Sequence, residues 1–267
     1  MVKRLLPRKT KIGHTGTLDP LASGILVLVI GRATRLSRYV TGLDKSYTAT
    51  ARFGAISDTL DADGDIQSLD ALMPDEDALR EAMNRFIGRI IQIPPMASAV
   101  KVGGERLYKA HRRGEIIERE RRPVTIHSFS LTNLNTADQT ATFEISCSSG
   151  TYVRSLIADL AESLGTGAYL TALRRTSVGH LKLEHAANLD QLTQDSIFNH
   201  IIHSSDVVVH LPAVAVKGQK EKMVRSGRSL DAAGIDSSYR VMSGDELLAV
   251  YRDVGTEARP EVVLCAG

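Results

Sequence analysis

Between Lys11 and Gly24 the chain reads Lys-Ile-Gly-His-Thr-Gly-Thr-Leu-Asp-Pro-Leu-Ala-Ser-Gly, and the apolar run Ile25-Leu26-Val27-Leu28-Val29-Ile30 follows at once. Gly13, Gly16 and Gly24 let the backbone take turns that a Cβ would forbid and let it approach a ligand closely. A β-branched apolar run closed by Gly31 reads as a buried strand. The pattern therefore predicts one acid, Asp19, held on a tight loop at the mouth of a core strand. Two readings of Asp19-Pro20 fit these residues. Asp before Pro commonly makes a turn, and a carboxylate is a recognised catalytic nucleophile.

With 267 residues and 43% hydrophobic content, the chain can bury the core of one large domain, or of one large and one small. No apolar run approaches the ~20 residues that span a membrane, and the first residues lack the apolar region of a signal peptide. Cys147 and Cys265 lie far apart without metal-ligand spacing, which fits a reducing cytoplasm and argues against zinc. Charge is uneven. Residues 1–56 hold ten Lys/Arg against two Asp, and residues 57–87 hold nine Asp/Glu against two Arg. A basic entrance around the Asp19 loop suits a polyanionic substrate; a solvated face offset by the acidic stretch is the other reading.

The segment Gly13 to Gly24 resembles, without gaps, the signature loop of the TruB family, the bacterial tRNA pseudouridine-55 synthases. The resemblance implies that Asp19 is the catalytic residue and that His14 helps to extrude the target base. It implies an α+β pseudouridine synthase fold, with a central mixed, mainly antiparallel sheet flanked by helices. That catalytic domain would fill residues 1–208, and residues 209–267 would form a small β-rich, PUA-like RNA-binding domain. No cofactor and no metal are expected. The expected partner is the T loop and T stem of tRNA, met by a cytoplasmic monomer without membrane or guide RNA. TruB proteins usually carry a further leading strand and helix with a Lys-Pro-containing motif. Lacking that element, the fold would leave a sheet edge or an apolar face uncovered.

Beyond the loop, residues 31–40 read as a short helix whose arginines Arg32, Arg35 and Arg38 share a face, free for phosphate contact or for solvent. Lys45 to Phe53 alternates with period two, placing Tyr47, Ala49, Ala51 and Phe53 on one side of a strand. A tyrosine there is ordinarily core; the resemblance makes Tyr47 the platform on which the flipped base stacks, with Lys45 near the phosphate or the Asp19 loop. The acids at 58, 61, 63 and 65 invite a calcium reading, but the twelfth position of an EF-hand loop counted from Asp61 is Leu72, so calcium is rejected. Residues 75–87 read as an amphipathic helix with Leu79, Met83, Phe86 and Ile87 on its apolar face.

Gln92 to Gly104 resembles a second family motif that commonly has tyrosine where Ala97 stands, and Lys101 matches a family lysine. Leu107 to Arg122 carries Lys109, Arg112, Arg113, Arg119, Arg121 and Arg122 among three glutamates, as an RNA-clasping segment or a solvated helix and loop. Residues 141–147 alternate as a half-buried strand, and 156–164 give one helix face stopped by Gly165. Arg154 stands at the junction between them, where an ordinary surface ion pair is the reading from residues alone. The resemblance of Gly-Thr-Tyr-Val-Arg to a family motif instead places Tyr152 and Arg154 in the site, with the arginine paired to Asp19. In Leu170 to Gly179 it implies that Leu173 packs against the base and that Arg174 and Arg175 serve structure or RNA. Short apolar pieces between glycines after 212 read as a small β module.

Overall fold

The computed structural model describes residues 1–98 and 100–265. Ala99, inside the Gln92–Gly104 motif, and the last two residues of the 209–267 module lie outside that description. The chain opens with α1 (Val2–Leu5), β1 (Ile12–His14), β2 (Ala22–Gly24) and β3 (Leu28–Ile30). A 3₁₀ turn at Gly31–Leu36 leads into α2 (Ser37–Thr41), then β4 (Lys45–Phe53), β5 (Ala55–Ser57) and β6 (Ile66–Ser68). Next come α3 (Glu76–Asn84), β7 (Gly88–Gln92), β8 (Lys101–Val102), β9 (Glu105–Arg106) and α4 (Leu107–His111). The long strands β10 (Arg122–Asn135) and β11 (Thr140–Cys147) precede α5 (Val153–Ser163), β12 (Ala168–Val178) and β13 (Leu181–Lys182). After an irregular stretch come α6 (Ser204–Val207), β14 (Ala213–Ala215), α7 (Gly218–Arg225) and β15 (Leu230–Asp231). The strands β16 (Tyr239–Ser243), β17 (Glu246–Val254) and β18 (Glu257–Val263) complete the order.

These elements sort into two compact units. One holds Leu18–Ile25 and Gly42–Glu184; the other holds Met1–Thr17, Leu26–Thr41 and the chain from His185 onward. The first is built on a seven-stranded sheet in the order β13-β12-β4-β11-β10-β7, with β2 added in parallel to β12. All other pairings in it are antiparallel, so the sheet is mixed and mainly antiparallel. The alternation read in β4 holds: Ala49, Ala51 and Phe53 are buried while Arg52 is exposed. Ala49 lies between Phe143 of β11 and Leu173 of β12, and small residues there let α3 and α5 settle on the sheet.

Helix α3 begins where the side chain of Asp75 accepts a hydrogen bond from the Ala78 amide at 2.8 Å. It buries Leu79, Ala82 and Met83, and it ends at Asn84, short of the predicted 87, so Ile87 is exposed. Helix α5 buries Leu156, Ile157, Leu160 and Ala161, and Gly165 in the left-handed region (φ +74°) follows it. Each fully buried Leu or Ile on that face contributes ~2 kcal/mol.

In the second unit a five-stranded sheet runs β14-β16-β17-β18-β15 around Val224, Tyr239, Val241, Leu248 and Tyr251. The small β module expected there is present, with α7 added. The three arginines of residues 31–40 are not free. Arg32 and Arg35 donate to the carbonyls of Leu264 and Val263, and Arg38 pairs with Glu261 at 3.3 Å.

The apolar run 25–30 differs from the single core strand predicted. Leu28 to Ile30 pair with β1 in a two-stranded ribbon, Leu26 is 42% exposed, and the Ile25 amide bonds the Arg175 carbonyl of β12. The run has two sets of partners, so it breaks at Leu26.

Candidate active site

The tip of the Asp19 loop belongs to the sheet unit. Ala22 N bonds Asp19 O at 2.9 Å, a β-turn with Pro20 at its second position, where a fixed φ is an advantage. The turn reading of Asp19-Pro20 thus holds. Gly24 closes the loop at φ +101°, and a Cβ there would collide with the carbonyl of Arg175. Arg175 grips the next residue twice: its carbonyl accepts from Ile25 N, and its Nε donates to Ile25 O, both at 2.9 Å.

Asp19 meets Arg154, which stands in the first turn of α5. Arg154 Nη2 lies 2.9 Å from Asp19 Oδ2 and 2.9 Å from the Ala97 carbonyl. Its Nη1 lies 3.0 Å from Asp61 Oδ2 and 2.9 Å from the Thr59 carbonyl. The guanidinium is 4% exposed and has two carboxylates; Asp61 is as deeply buried, whereas Asp19 is 37% exposed. Burial pushes the Asp19 carboxyl above its ordinary 3.8; the Arg154 charge pulls it back, and the Asp61 charge adds to the rise. A group held this way is a carboxylate with one open side, poised by a cation and ready to meet an electrophile or to orient one.

Asp61 is fixed from its other oxygen, which accepts from Thr59 Oγ1 at 2.6 Å and from Asp63 N at 3.2 Å. Leu60, between them, takes φ +64°, a conformation unusual for a leucine and of the kind that clusters at functional sites. Its carbonyl is tied to Leu170 N of β12 at 3.1 Å.

The aromatic residues come from the same unit. Tyr47 on β4 stands between Ile145 and Arg175, and the Arg175 guanidinium hydrogen-bonds its hydroxyl. Burial pushes the Tyr47 hydroxyl up, and the Asp19 charge reaches both Tyr47 and Tyr152. Leu173, buried on β12, faces Ala49 across the ladder. The structure therefore brings Asp19, Tyr47, Tyr152, Arg154 and Leu173 into one unit. His14 is exposed on β1, in the other unit.

The expected RNA contacts divide. Lys101, Lys109 and Arg112 are exposed, Arg112 lying over the Tyr108 ring at 5.6 Å. Arg113 is exposed too but bridges Glu105 and Glu115 at 2.8 and 2.7 Å. Lys45 is 7% exposed with its Nζ on the Leu43 carbonyl, and burial lowers its pKa; that is an internal lysine closing a strand end, not a surface cation. Among the described residues no group of three or more His, Cys, Asp or Glu is arranged to hold a metal ion.

Asp61, the second carboxylate on Arg154, is not among the candidates read from the sequence. Asp61 had a signal: Thr17-Leu18-Asp19 recurs as Thr59-Leu60-Asp61, and both copies deliver their acid to Arg154.

Comparison with known proteins places the whole chain beside one family. The family model "TruB family pseudouridylate synthase (N terminal domain)" matches residues 3–153, and "tRNA pseudouridylate synthase B C-terminal domain" matches residues 154–208. The tRNA pseudouridine synthase B of Burkholderia mallei is 42% identical, covering 99% of this chain and 91% of that one. The protein of the same name from Mycobacterium bovis is 39% identical, covering 95% and 86%. Among solved structures, a chain of the Cbf5-Nop10-Gar1 complex aligns with a TM-score of 0.74 at 26% identity, covering 99% of this chain and 79% of that chain.

Proposed function

The chain belongs to the TruB family of pseudouridylate synthases, and from that premise we propose that it is a tRNA pseudouridine-55 synthase, isomerising one uridine in the T loop. The observation that carries this reading is the half-exposed Asp19 carboxylate held against the buried Arg154 guanidinium. The net chemistry exchanges the C1′–N1 bond of uridine for a C1′–C5 bond. The base turns over, the proton on C5 leaves, and N1 gains one. Nothing is added or lost, so no cofactor is called for.

In this reading Asp19 is the catalytic carboxylate, kept ionised and aimed by Arg154 in a site that the incoming base closes to water. The ring of Tyr47 supplies the stacking face, Leu173 packs against the flipped uracil, and Tyr152 lines the pocket. His14 helps push the base out of the loop. Flipping costs a few kcal/mol in a duplex and less in a loop, where bases are already unstacked. Lys101, Lys109 and Arg112 contact the T stem, and the C-terminal sheet module binds RNA as part of the compact unit it shares with residues 1–17 and 26–41. No helix among the described residues is long and apolar enough to cross a membrane; a tRNA substrate implies work in the cytoplasm. We expect a monomer acting on bare tRNA. The higher identity to the tRNA pseudouridine synthase B proteins than to the Cbf5 chain favours that over a guide-dependent enzyme.

The test is tritium release from T-loop RNA labelled at C5 of uracil, without any guide RNA. The wild-type chain should release tritium, and Asp19→Asn should release none while binding the RNA as before. Turnover in Asp19→Asn would end the reading.

A further inference from the structure

We infer that Gln92 is a positioning residue for the reaction, its buried carboxamide setting the strand-to-helix turn that aims Arg154 at Asp19. The inference rests on the reading of Asp19 as the catalytic carboxylate. Gln92 ends β7, an outer strand of the seven-stranded sheet, and is 1% exposed, while its apolar neighbours Ile91 and Ile93 are 57% and 43% exposed. The polar residue points inward and the apolar ones point out, the reverse of what a strand edge needs for burial alone. A buried carboxamide is costly unless both its ends are bonded.

Both ends are bonded, and to one residue. Gln92 Nε2 donates to the Tyr152 carbonyl at 3.2 Å, and Gln92 Oε1 accepts from Tyr152 N at 3.0 Å. The side chain thus imitates one residue of a β-ladder against a residue that has no strand partner. Tyr152 is the N-cap of α5 and makes no capping bond with its own side chain. Two further bonds join the same segments: Ser155 Oγ donates to the Ile93 carbonyl at 3.3 Å, and Arg154 Nη2 donates to the Ala97 carbonyl at 2.9 Å. Residues 92–97 are therefore stitched along residues 152–155 on both sides of the Arg154 Cα, and the first stitch is Gln92. Without Gln92 the Tyr152 N–H loses its partner and the Tyr152 carbonyl keeps only the Leu156 amide at 3.0 Å, so the entry to α5 can turn, and the Nη2 edge shared by Ala97 and Asp19 turns with it.

This predicts a pattern that simple loss of packing does not. The charged groups facing Asp19 are Arg154, Asp61 and Arg175, and the titratable hydroxyls within reach of its charge are those of Tyr47 and Tyr152. Burial raises the Asp19 carboxyl and Arg154 is the main force lowering it, so a loosened Arg154 moves the acid limb of the rate profile to higher pH.

The experiment compares single-turnover tritium release, its pH profile and RNA binding for the full chain, for Gln92→Leu and for Gln92→Glu, with Asp19→Asn in parallel and folding checked by circular dichroism. Gln92→Leu should slow the reaction about 100-fold, the usual cost of a misplaced catalytic group, shift the acid limb upward and leave RNA affinity unchanged. Gln92→Glu should lose rate when ionised, since it no longer donates to Tyr152 O, and should recover relative to wild type as falling pH protonates it and restores a donor. An unshifted acid limb in a folded variant, or a loss confined to RNA affinity, overturns the inference. If Gln92→Leu does not fold, the pH dependence of Gln92→Glu decides. If neither folds, Gln92 is a folding residue and the inference falls. Turnover in Asp19→Asn removes the underlying reading instead; inert Asp19→Asn beside unaffected Gln92 variants removes this inference alone.

Discussion

Arg154 and Arg113 each bridge two carboxylates, Asp19 and Asp61 in one case, Glu105 and Glu115 in the other. The distances are alike, between 2.7 and 3.0 Å. The surroundings are not. The Arg154 side chain is 4% exposed and that of Arg113 is 45% exposed. Around Arg113 water screens every charge, and holding long side chains in one geometry offsets much of the gain. Around Arg154 the charges have nowhere else to go: Thr59 O and Ala97 O accept from Nη1 and Nη2 beside the carboxylates, Nε is buried without a partner among the described residues, and each carboxylate fixes the other through the guanidinium. Identical pairing is a surface detail in one region and the frame of a site in the other. Burial makes the difference.

The comparison breaks most visibly at its centre. Arg154→Gln strands Asp61 as a buried charge, and removing one member of such a pair costs ~3–5 kcal/mol of stability. Urea unfolding should show that loss, and turnover should fall to background.

Asp61→Asn is milder and sharpens the contrast between the two acids. Asparagine keeps an oxygen for Thr59 and Asp63 but leaves Arg154 with one carboxylate, at an expected ~1–3 kcal/mol. The Asp61 charge raises the Asp19 carboxyl, so its removal lowers that carboxyl, and the acid limb of single-turnover rate should move to lower pH. A shift the other way would mean that Asp61 acts on Asp19 through Arg154's position, not through charge.

The smallest effect belongs to the exposed region. Arg113→Gln should leave the urea midpoint and the salt dependence of RNA binding unchanged, because its charge is already answered by two glutamates. Lys109→Gln with Arg112→Gln should flatten the salt dependence by ~0.9 in log–log slope per lost phosphate contact on the paired stem. An equal change for Arg113 would erase the distinction.

The same two arginines show how far the sequence could be read. From residues alone Arg154 reads as an ordinary surface ion pair, and Arg113 as part of an RNA-clasping segment or of a solvated helix and loop. What corrected the first was the resemblance of its motif, since a guanidinium's burial depends on residues far away along the chain. Pattern sufficed where partners are local: the alternation of β4, and the face of α5 with Gly165 after it. It failed where one run serves two partners, as at Leu26, and where a polar side chain replaces a backbone ladder, as at Gln92. Lys45 illustrates the same limit, because nothing near it in sequence announces a buried amine.

Arg32 and Arg35, just past the Asp19 loop, donate to carbonyls 232 and 228 positions further along. During synthesis the chain emerges from its amino end at ~5–20 residues per second. The end of β18 and the residue after it, which receive these arginines, are made more than two hundred residues after them. The β1–β3 ribbon carrying the stem of the loop shares a compact unit with that late strand. The stem therefore waits, through most of translation, for the contacts that finish its unit. A nascent chain with every proposed catalytic side chain already made still lacks the last strand of the unit that holds β1 and β3.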